Sequence, residues 1–201
     1  MSHKKLAVLV SGSGTNLQAI IDAIRSGELT NTEIAIVISN KKDAYALQRA
    51  EKEGIKSLFL NPKDFPSSIE YDKKLIELIK EHKIDLIILA GYLRILSKEF
   101  INAFPNKIIN IHPALLPKFG GKGMYGEKVH EAVLKSSVKE SGCTVHFVTG
   151  EVDKGPIIGQ KKVPVLENDT VEVLQKRILV EEHKLLVESI KKVLFSQVKA
   201  L

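Results

Sequence analysis

The sequence of 201 residues holds a single cysteine, Cys143, and no tryptophan. One thiol excludes an intrachain disulfide and a thiolate metal cluster. No His-Glu-x-x-His or paired-cysteine pattern occurs, so no metal is expected. Aromatic residues are scarce, at 5%, and none interleave with a basic strip. A stacking platform for single-stranded nucleic acid is therefore not expected. Apolar runs such as Leu86-Ile87-Ile88-Leu89-Ala90 are far too short to span a bilayer. The opening Met1-Ser2-His3-Lys4-Lys5-Leu6 lacks an apolar stretch and a small-residue cleavage site. These absences point to a cytoplasmic protein with neither membrane nor nucleic-acid partners.

What is present is ordinary for a globular domain: 44% hydrophobic and 27% charged residues. A chain this long can bury roughly 70% of its unfolded surface in one core. The net charge of +6, from 30 Lys and Arg against 24 Asp and Glu, is scattered. Such a field favours small anionic substrates.

Short apolar runs alternate with longer amphipathic ones. Strands are predicted over Lys5–Val10, Glu33–Ser39, Ile55–Leu60, Ile84–Ala90, Lys107–Ile111, Cys143–Thr149 and Ile157–Val165. Helices are predicted over Thr15–Ser26, Asp43–Glu53, Ser67–His82, Lys98–Ala103, Glu127–Ser136 and Thr170–Val198. The alternation through Ile111 implies a parallel sheet covered by helices on both faces. After Ile111 a loop from Pro113 to Gly126 precedes two strands joined by the turn Gly150–Gly155, a hairpin pattern. The expected fold is a Rossmann-like, doubly wound α/β domain with about seven strands, mostly parallel, and an antiparallel C-terminal part. It is read as one domain, 1–201, with an N-terminal half of about 1–106 and a C-terminal half of about 107–201.

Strand, glycine turn and helix start follow one another in Ala7-Val8-Leu9-Val10-Ser11-Gly12-Ser13-Gly14-Thr15-Asn16-Leu17. Glycines let a backbone approach an anion, and first-turn amides favour negative charge. Gly12, Ser13, Gly14, Thr15 and Asn16 thus read as a phosphate cradle. The plain alternative is a tight turn whose helix is capped by Thr15 or Ser13. A nicotinamide-dinucleotide site fits poorly, because Leu17 stands where a third glycine is needed. The second strand also ends in Ser39-Asn40, without the acid that would hold ribose hydroxyls.

A second cluster is Asn110-Ile111-His112-Pro113, with Asp153 in Val152-Asp153-Lys154-Gly155-Pro156. Residues two apart on a strand share a face. Asn110 and His112 are therefore displayed together, and Pro113 ends the strand's ladder. An amide, an imidazole and a carboxylate can stabilise an oxyanion and move a proton. Asp153 beside the imidazole is expected to raise its pKa. His146, on a strand, is read as structural or supporting. His3, His82, His130 and His183 are assigned no chemical role.

Four ordered segments carry a likeness. They are Ser11–Ile20, Ala90–Leu96, Asn110–Phe119, and Val145–Val148 with Asp153–Pro156. Together they resemble the phosphoribosylglycinamide formyltransferases, a folate-dependent family of purine synthesis, from Leu6 to about Leu186. The resemblance implies transfer of formyl from 10-formyltetrahydrofolate, as co-substrate, to the amine of glycinamide ribonucleotide. It implies catalysis by Asn110, His112 and Asp153, with Gly12–Asn16 holding the phosphate and Glu182 meeting the amine. It assigns folate contacts to Leu93, Arg94, Ile95 and Leu96, to Gly150, Glu151, Val152 and Asp153, and to Asn110.

The sequence departs from the family at Gly150, where some relatives have aspartate, and at Leu179, where some have glutamine. It departs again at Ser68, where some carry a basic residue that Lys63 could replace. A monomer or a homodimer is expected. Formyltetrahydrofolate hydrolase and methionyl-tRNA formyltransferase share the Asn-x-His and Asp core but carry extra domains. A nucleotide-binding Rossmann protein without formyl transfer is the alternative of another class.

Overall fold

The computed structural model describes residues 3–195. Seven strands form one sheet in the order β3-β2-β1-β4-β5-β6-β7. They are β1 (Lys4–Val10), β2 (Thr32–Ser39), β3 (Ser57–Phe59), β4 (Leu86–Leu89), β5 (Ile108–His112), β6 (Glu140–Phe147) and β7 (Ile157–Pro164). The helices are α1 (Thr15–Arg25), α2 (Tyr45–Lys52), α3 (Ser68–Glu81), α4 (Lys98–Ala103), α5 (Glu127–Lys135) and α6 (Val171–Phe195). This is the mixed α/β sheet expected, mostly parallel with an antiparallel C-terminal pair. The chain divides into two compact units, Met1–Ile109 and Asn110–Leu201.

In the first unit β1 pairs in parallel with β2 and β4, and β2 with β3. Leu6, Ala7, Val8, Leu9 and Val10 are wholly buried. A strand covered on both faces must be apolar along its length, which explains the unbroken run. β3 is shorter than predicted and only half-buried, being the edge strand. α2 begins two residues later than predicted, because Ala44 N donates to the Lys41 carbonyl in a preceding turn. Ser67 caps α3 by accepting from Glu70 N, and Ser97 caps α4 by accepting from Phe100 N. The amide of Ser97 donates at 2.6 Å to Asp72 Oδ2, which gives that buried carboxylate a partner.

In the second unit β6 and β7 form an antiparallel hairpin against which α6 packs, with α5 packed on α6. β6 starts three residues before the predicted Cys143. Glu-Ser-Gly reads as a turn in sequence, yet Ser141 and Gly142 pair with Val163 and Lys162. A Cβ at Gly142 would overlap the Lys161 carbonyl, so glycine is what lets the strands approach there. Gly159 admits α6 in the same way, because a Cβ there would lie 2.9 Å from Leu185 Cδ1. The predicted last helix is present to Phe195, and its final three residues lie outside the described ones.

Candidate active site

The glycine turn follows directly from β1. Ser11, buried at the strand's end, donates through Oγ to Asn40 Oδ1 at 2.5 Å and accepts from Leu93 N at 2.9 Å. One hydroxyl thus ties together the segments that leave β1, β2 and β4. Asn40, which argued against a dinucleotide site in the sequence, has this structural task. Gly12 and Ser13 are exposed, Thr15 is half-buried and Asn16 is buried.

Gly14 caps α1 with φ 73°, a left-handed conformation that favours glycine. A Cβ there would also lie 2.6 Å from Ala46 Cβ. Neither Thr15 nor Ser13 caps the helix, contrary to the plain alternative, because Gly14 is the N-cap and has no side chain to accept from the first turn. Arg49, not singled out in the sequence, braces the turn. Its Nε donates to the Ser13 carbonyl at 2.8 Å and its guanidinium also holds Gln18 Oε1.

Beyond β4, Leu93 and Ile95 are exposed, at 44% and 59%, whereas Leu96 is buried at 7%. Leu96 thus turns its side chain into the core. Arg94 stacks 4.5 Å above the Tyr71 ring and donates to Ser68 Oγ at 3.3 Å. Lys63 is exposed, on a short 3-10 turn at Pro62–Asp64.

In the second unit Asn110, His112, His146 and Asp153 converge. Asn110 and His112 come from β5, His146 from the end of β6, and Asp153 from the turn before β7. His112 Nε2 lies 2.8 Å from the Phe119 carbonyl oxygen. A carbonyl only accepts, so Nε2 carries the proton and Nδ1 holds the lone pair of the neutral ring. Nδ1 faces Asp153 Oδ2 at 3.6 Å. His146 Nδ1 likewise donates to the Phe147 carbonyl at 2.9 Å, so Nε2 accepts from Asn110 Nδ2 at 3.1 Å. The same Nε2 lies 3.5 Å from Asp153 Oδ1.

Asp153 has φ 56° and accepts from Gly121 N at 2.9 Å. Gly120 lets the carboxylate approach, since a Cβ there would overlap Leu116 Cδ2 and sit 3.2 Å from Asp153 Cβ. The loop from Pro113 is clamped from beneath by Thr144. Its Oγ1 donates to the Ala114 carbonyl at 2.7 Å and accepts from Leu116 N at 3.1 Å and from Gln160 Nε2 at 2.9 Å. Gly150, Glu151 and Val152 are exposed in the turn before Asp153, and Glu182 is buried on α6.

The electrostatics correct one expectation. His112 has its pKa lowered, not raised. Burial at 3% exposure opposes the charged ring more strongly than Asp153 and the Phe119 carbonyl favour it. Burial pushes Asp153 upward, but His146, the Gly121 amide and His112 outweigh it and hold the carboxyl below its ordinary range. At neutral pH the pair is thus a neutral imidazole beside a carboxylate. Among the described residues no group of three or more His, Cys, Asp or Glu could hold a metal ion. Nor is any described helix long and apolar enough to cross a membrane.

The pattern shared by formyl transferases matches residues 4–190. The chain belongs to the formyl transferase family.

Within that family it is 46% identical over 187 residues to the chloroplastic phosphoribosylglycinamide formyltransferase of Arabidopsis thaliana. That alignment covers 92% of this chain and 64% of the relative. It is 43% identical to the phosphoribosylglycinamide formyltransferase of Haemophilus influenzae, covering 90% of this chain and 83% of that one. The chain spans less than two thirds of the plant relatives and 13% of the trifunctional purine biosynthetic protein of Drosophila pseudoobscura. Among solved structures, glycinamide ribonucleotide transformylase 1 of Symbiobacterium toebii superposes with TM-score 0.89 at 48% identity, over 94% of this chain and 87% of that one. The phosphoribosylglycinamide formyltransferase of Brucella melitensis gives TM-score 0.88 at 37% identity over the whole of both chains. This formyl transferase thus shares its fold with proteins of one named activity.

Proposed function

We propose that the protein transfers the formyl group of 10-formyltetrahydrofolate to the amine of glycinamide ribonucleotide, a step of purine biosynthesis. The observation that carries this reading is the convergence of Asn110, His112, His146 and Asp153, with His112 Nδ1 3.6 Å from Asp153 Oδ2. The named activity of the relatives supports it.

In the first unit, Gly12, Ser13, Gly14, Thr15 and Asn16 take the ribonucleotide phosphate. The uncapped first turn of α1 supplies amides and a favourable dipole end for it. Leu93, Arg94, Ile95 and Leu96 contribute to folate binding, Leu96 with its side chain turned to the core. In the second unit, Gly150, Glu151, Val152 and Asp153 serve the folate, and Glu182 the amine.

The chemistry follows from the protonation states. The substrate amine attacks the formyl carbon, and the carbonyl oxygen becomes an oxyanion. Asn110, oriented by His146, keeps a second N–H to donate to that oxygen. His112 enters neutral, and its Nδ1 takes the proton released by the attacking nitrogen. Asp153 stabilises the imidazolium so formed. The proton then passes to the departing folate nitrogen as the carbon–nitrogen bond breaks, which leaves both side chains as they began. Neither a covalent enzyme intermediate nor a metal enters this scheme.

The test is the absorbance change of a 10-formyl donor with and without glycinamide ribonucleotide. Donor loss that requires the amine and yields formylated ribonucleotide in equal amount supports the proposal. Equal loss without the amine would make the protein a hydrolase.

A further inference from the structure

The second unit holds a cleft of about 530 Å³ lined by Leu115, Lys118, Phe119, Ser137, Val138, Lys139, Glu140 and Ser141. None of the groups assigned above to formyl transfer lines it. Three features give it a chemical character. Leu115, Phe119 and Val138, each half-buried, supply an apolar wall. Lys118 and Lys139 are exposed, and neither pairs with a carboxylate among the described residues. The one carboxylate of the lining, Glu140, is held by Lys162 at 2.9 Å. Ser141 is 1% exposed, and its Oγ has no hydrogen-bond partner. A buried hydroxyl without a partner is uncommon, because desolvation is then left uncompensated.

We infer that this cleft is a second ligand site, for a small organic anion with an apolar body. The apolar body lies along Leu115, Phe119 and Val138, the anionic group meets Lys118 and Lys139, and the Ser141 hydroxyl gains a polar partner. Volume and lining fit such a ligand: small-molecule sites of this size are mostly apolar with a few polar groups. The site is coupled to His112 through one residue. The Phe119 side of the loop lines the cleft, and the Phe119 carbonyl holds His112 Nε2 at 2.8 Å. A ligand that shifts Phe119 therefore acts on the imidazole, and a ligand's differential contacts with the loop are what can bias it.

The test uses 3-phenylpropionate and its uncharged amide, titrated into the ¹⁵N-labelled full chain with ring-labelled histidine. The carboxylate is expected to bind on the order of millimolar or tighter. It shifts the amide signals of Val138, Ser141 and Phe119 saturably and moves the His112 ring signal with the same midpoint. The amide is expected to bind at least tenfold more weakly, as is the carboxylate to a Lys118→Gln/Lys139→Gln double variant. A Val138→Trp variant, which fills the cleft, is expected to abolish the shifts while keeping the spectrum of a folded chain. Absence of saturable shifts at these residues would overturn the site. Equal affinity for acid and amide would overturn its anion preference. Shifts at the cleft with a motionless His112 signal would overturn the coupling. Because the readout is binding without substrate, failure here is distinguishable from failure of the formyl-transfer proposal.

Discussion

His112 Nδ1 stands 3.6 Å from Asp153 Oδ2 while the other ring nitrogen is committed to the Phe119 carbonyl at 2.8 Å. The longer distance exceeds that of a hydrogen bond, so Nδ1 stays free to take a proton. The backbone fixes the tautomer, and the free lone pair faces an ionised acid. A neutral base arranged this way gains stability at the moment it becomes charged. That is when a transferred proton needs a place.

His146 is expected to act through Asn110 and Asp153. It accepts from the Asn110 amide and lowers the Asp153 pKa. Replacing His146 by Leu leaves a half-buried N–H of Asn110 without its partner and removes a cause of that lowering. We expect kcat to fall on the order of tenfold to a hundredfold, equivalent to roughly 1–3 kcal/mol. The charge of His146 also lowers the His112 pKa, so removing it lets that pKa rise, and the acid limb of the kcat/KM profile, set by the need for neutral His112, moves to higher pH. A pH–rate profile checks this, and an unmoved limb would show that His146 serves packing alone.

Three glycines separate folding from function. Gly12 has nothing within 4 Å of a built Cβ. Gly12→Ala should therefore keep thermal stability within about 0.5 kcal/mol while raising KM for the ribonucleotide. Gly14→Ala meets Ala46 at 2.6 Å with φ 73° and should destabilise by roughly 1–3 kcal/mol. Gly120→Ala crowds Leu116 and Asp153 and should lower kcat by displacing the carboxylate. Thermal melts and steady-state kinetics of the three variants distinguish these outcomes.

Acid should weaken the fold through His130. This residue is 2% exposed, and burial, aided by the charge of His112, lowers its pKa from 6.5 to about 4. The folded state therefore binds fewer protons than the unfolded state across that window. Stability is full above pH 6.5 and declines as pH falls toward 4, by an amount on the order of 3 kcal/mol. His112, also lowered, adds to the same slope below 6.5. Asp153, held below its ordinary value, contributes stability that is lost only as pH falls through its own lower pKa. Denaturant melts between pH 7 and pH 4 should show a flatter decline for His130→Leu, whatever that variant's stability at pH 7.

Much of this arrangement is legible in the chain because local rules and tertiary structure agree. Uninterrupted apolar runs predict β1 and β4, and the alternation with helices predicts the parallel part of the sheet. The two-residue spacing of Asn110 and His112 predicts their shared display. What escapes the sequence depends on contacts between distant segments. His146 falls opposite Asn110 only because β6 returns beside that strand. The tautomer of His112 depends on a backbone carbonyl seven residues away, and the seat of Asp153 on the amide of Gly121. Neither signal resides in a side chain. The sign of the His112 shift escapes the sequence for a related reason. A neighbouring acid is visible in a motif, whereas the depth of burial that outweighs it is a property of the packed loop. The burial of Leu96 beside exposed Leu93 and Ile95 is likewise set by the turn after β4, which has no regular period to read.

The measurement that bears most directly on the chemistry is single-turnover transfer of labelled formyl by Asp153→Asn and His112→Ala, paired with the dissociation constant of the ribonucleotide for each. If the imidazole and carboxylate move the proton, transfer slows on the order of a hundredfold to a thousandfold in both variants, with ribonucleotide affinity within about threefold of the parent. Transfer at the parent's rate in either variant would contradict that role.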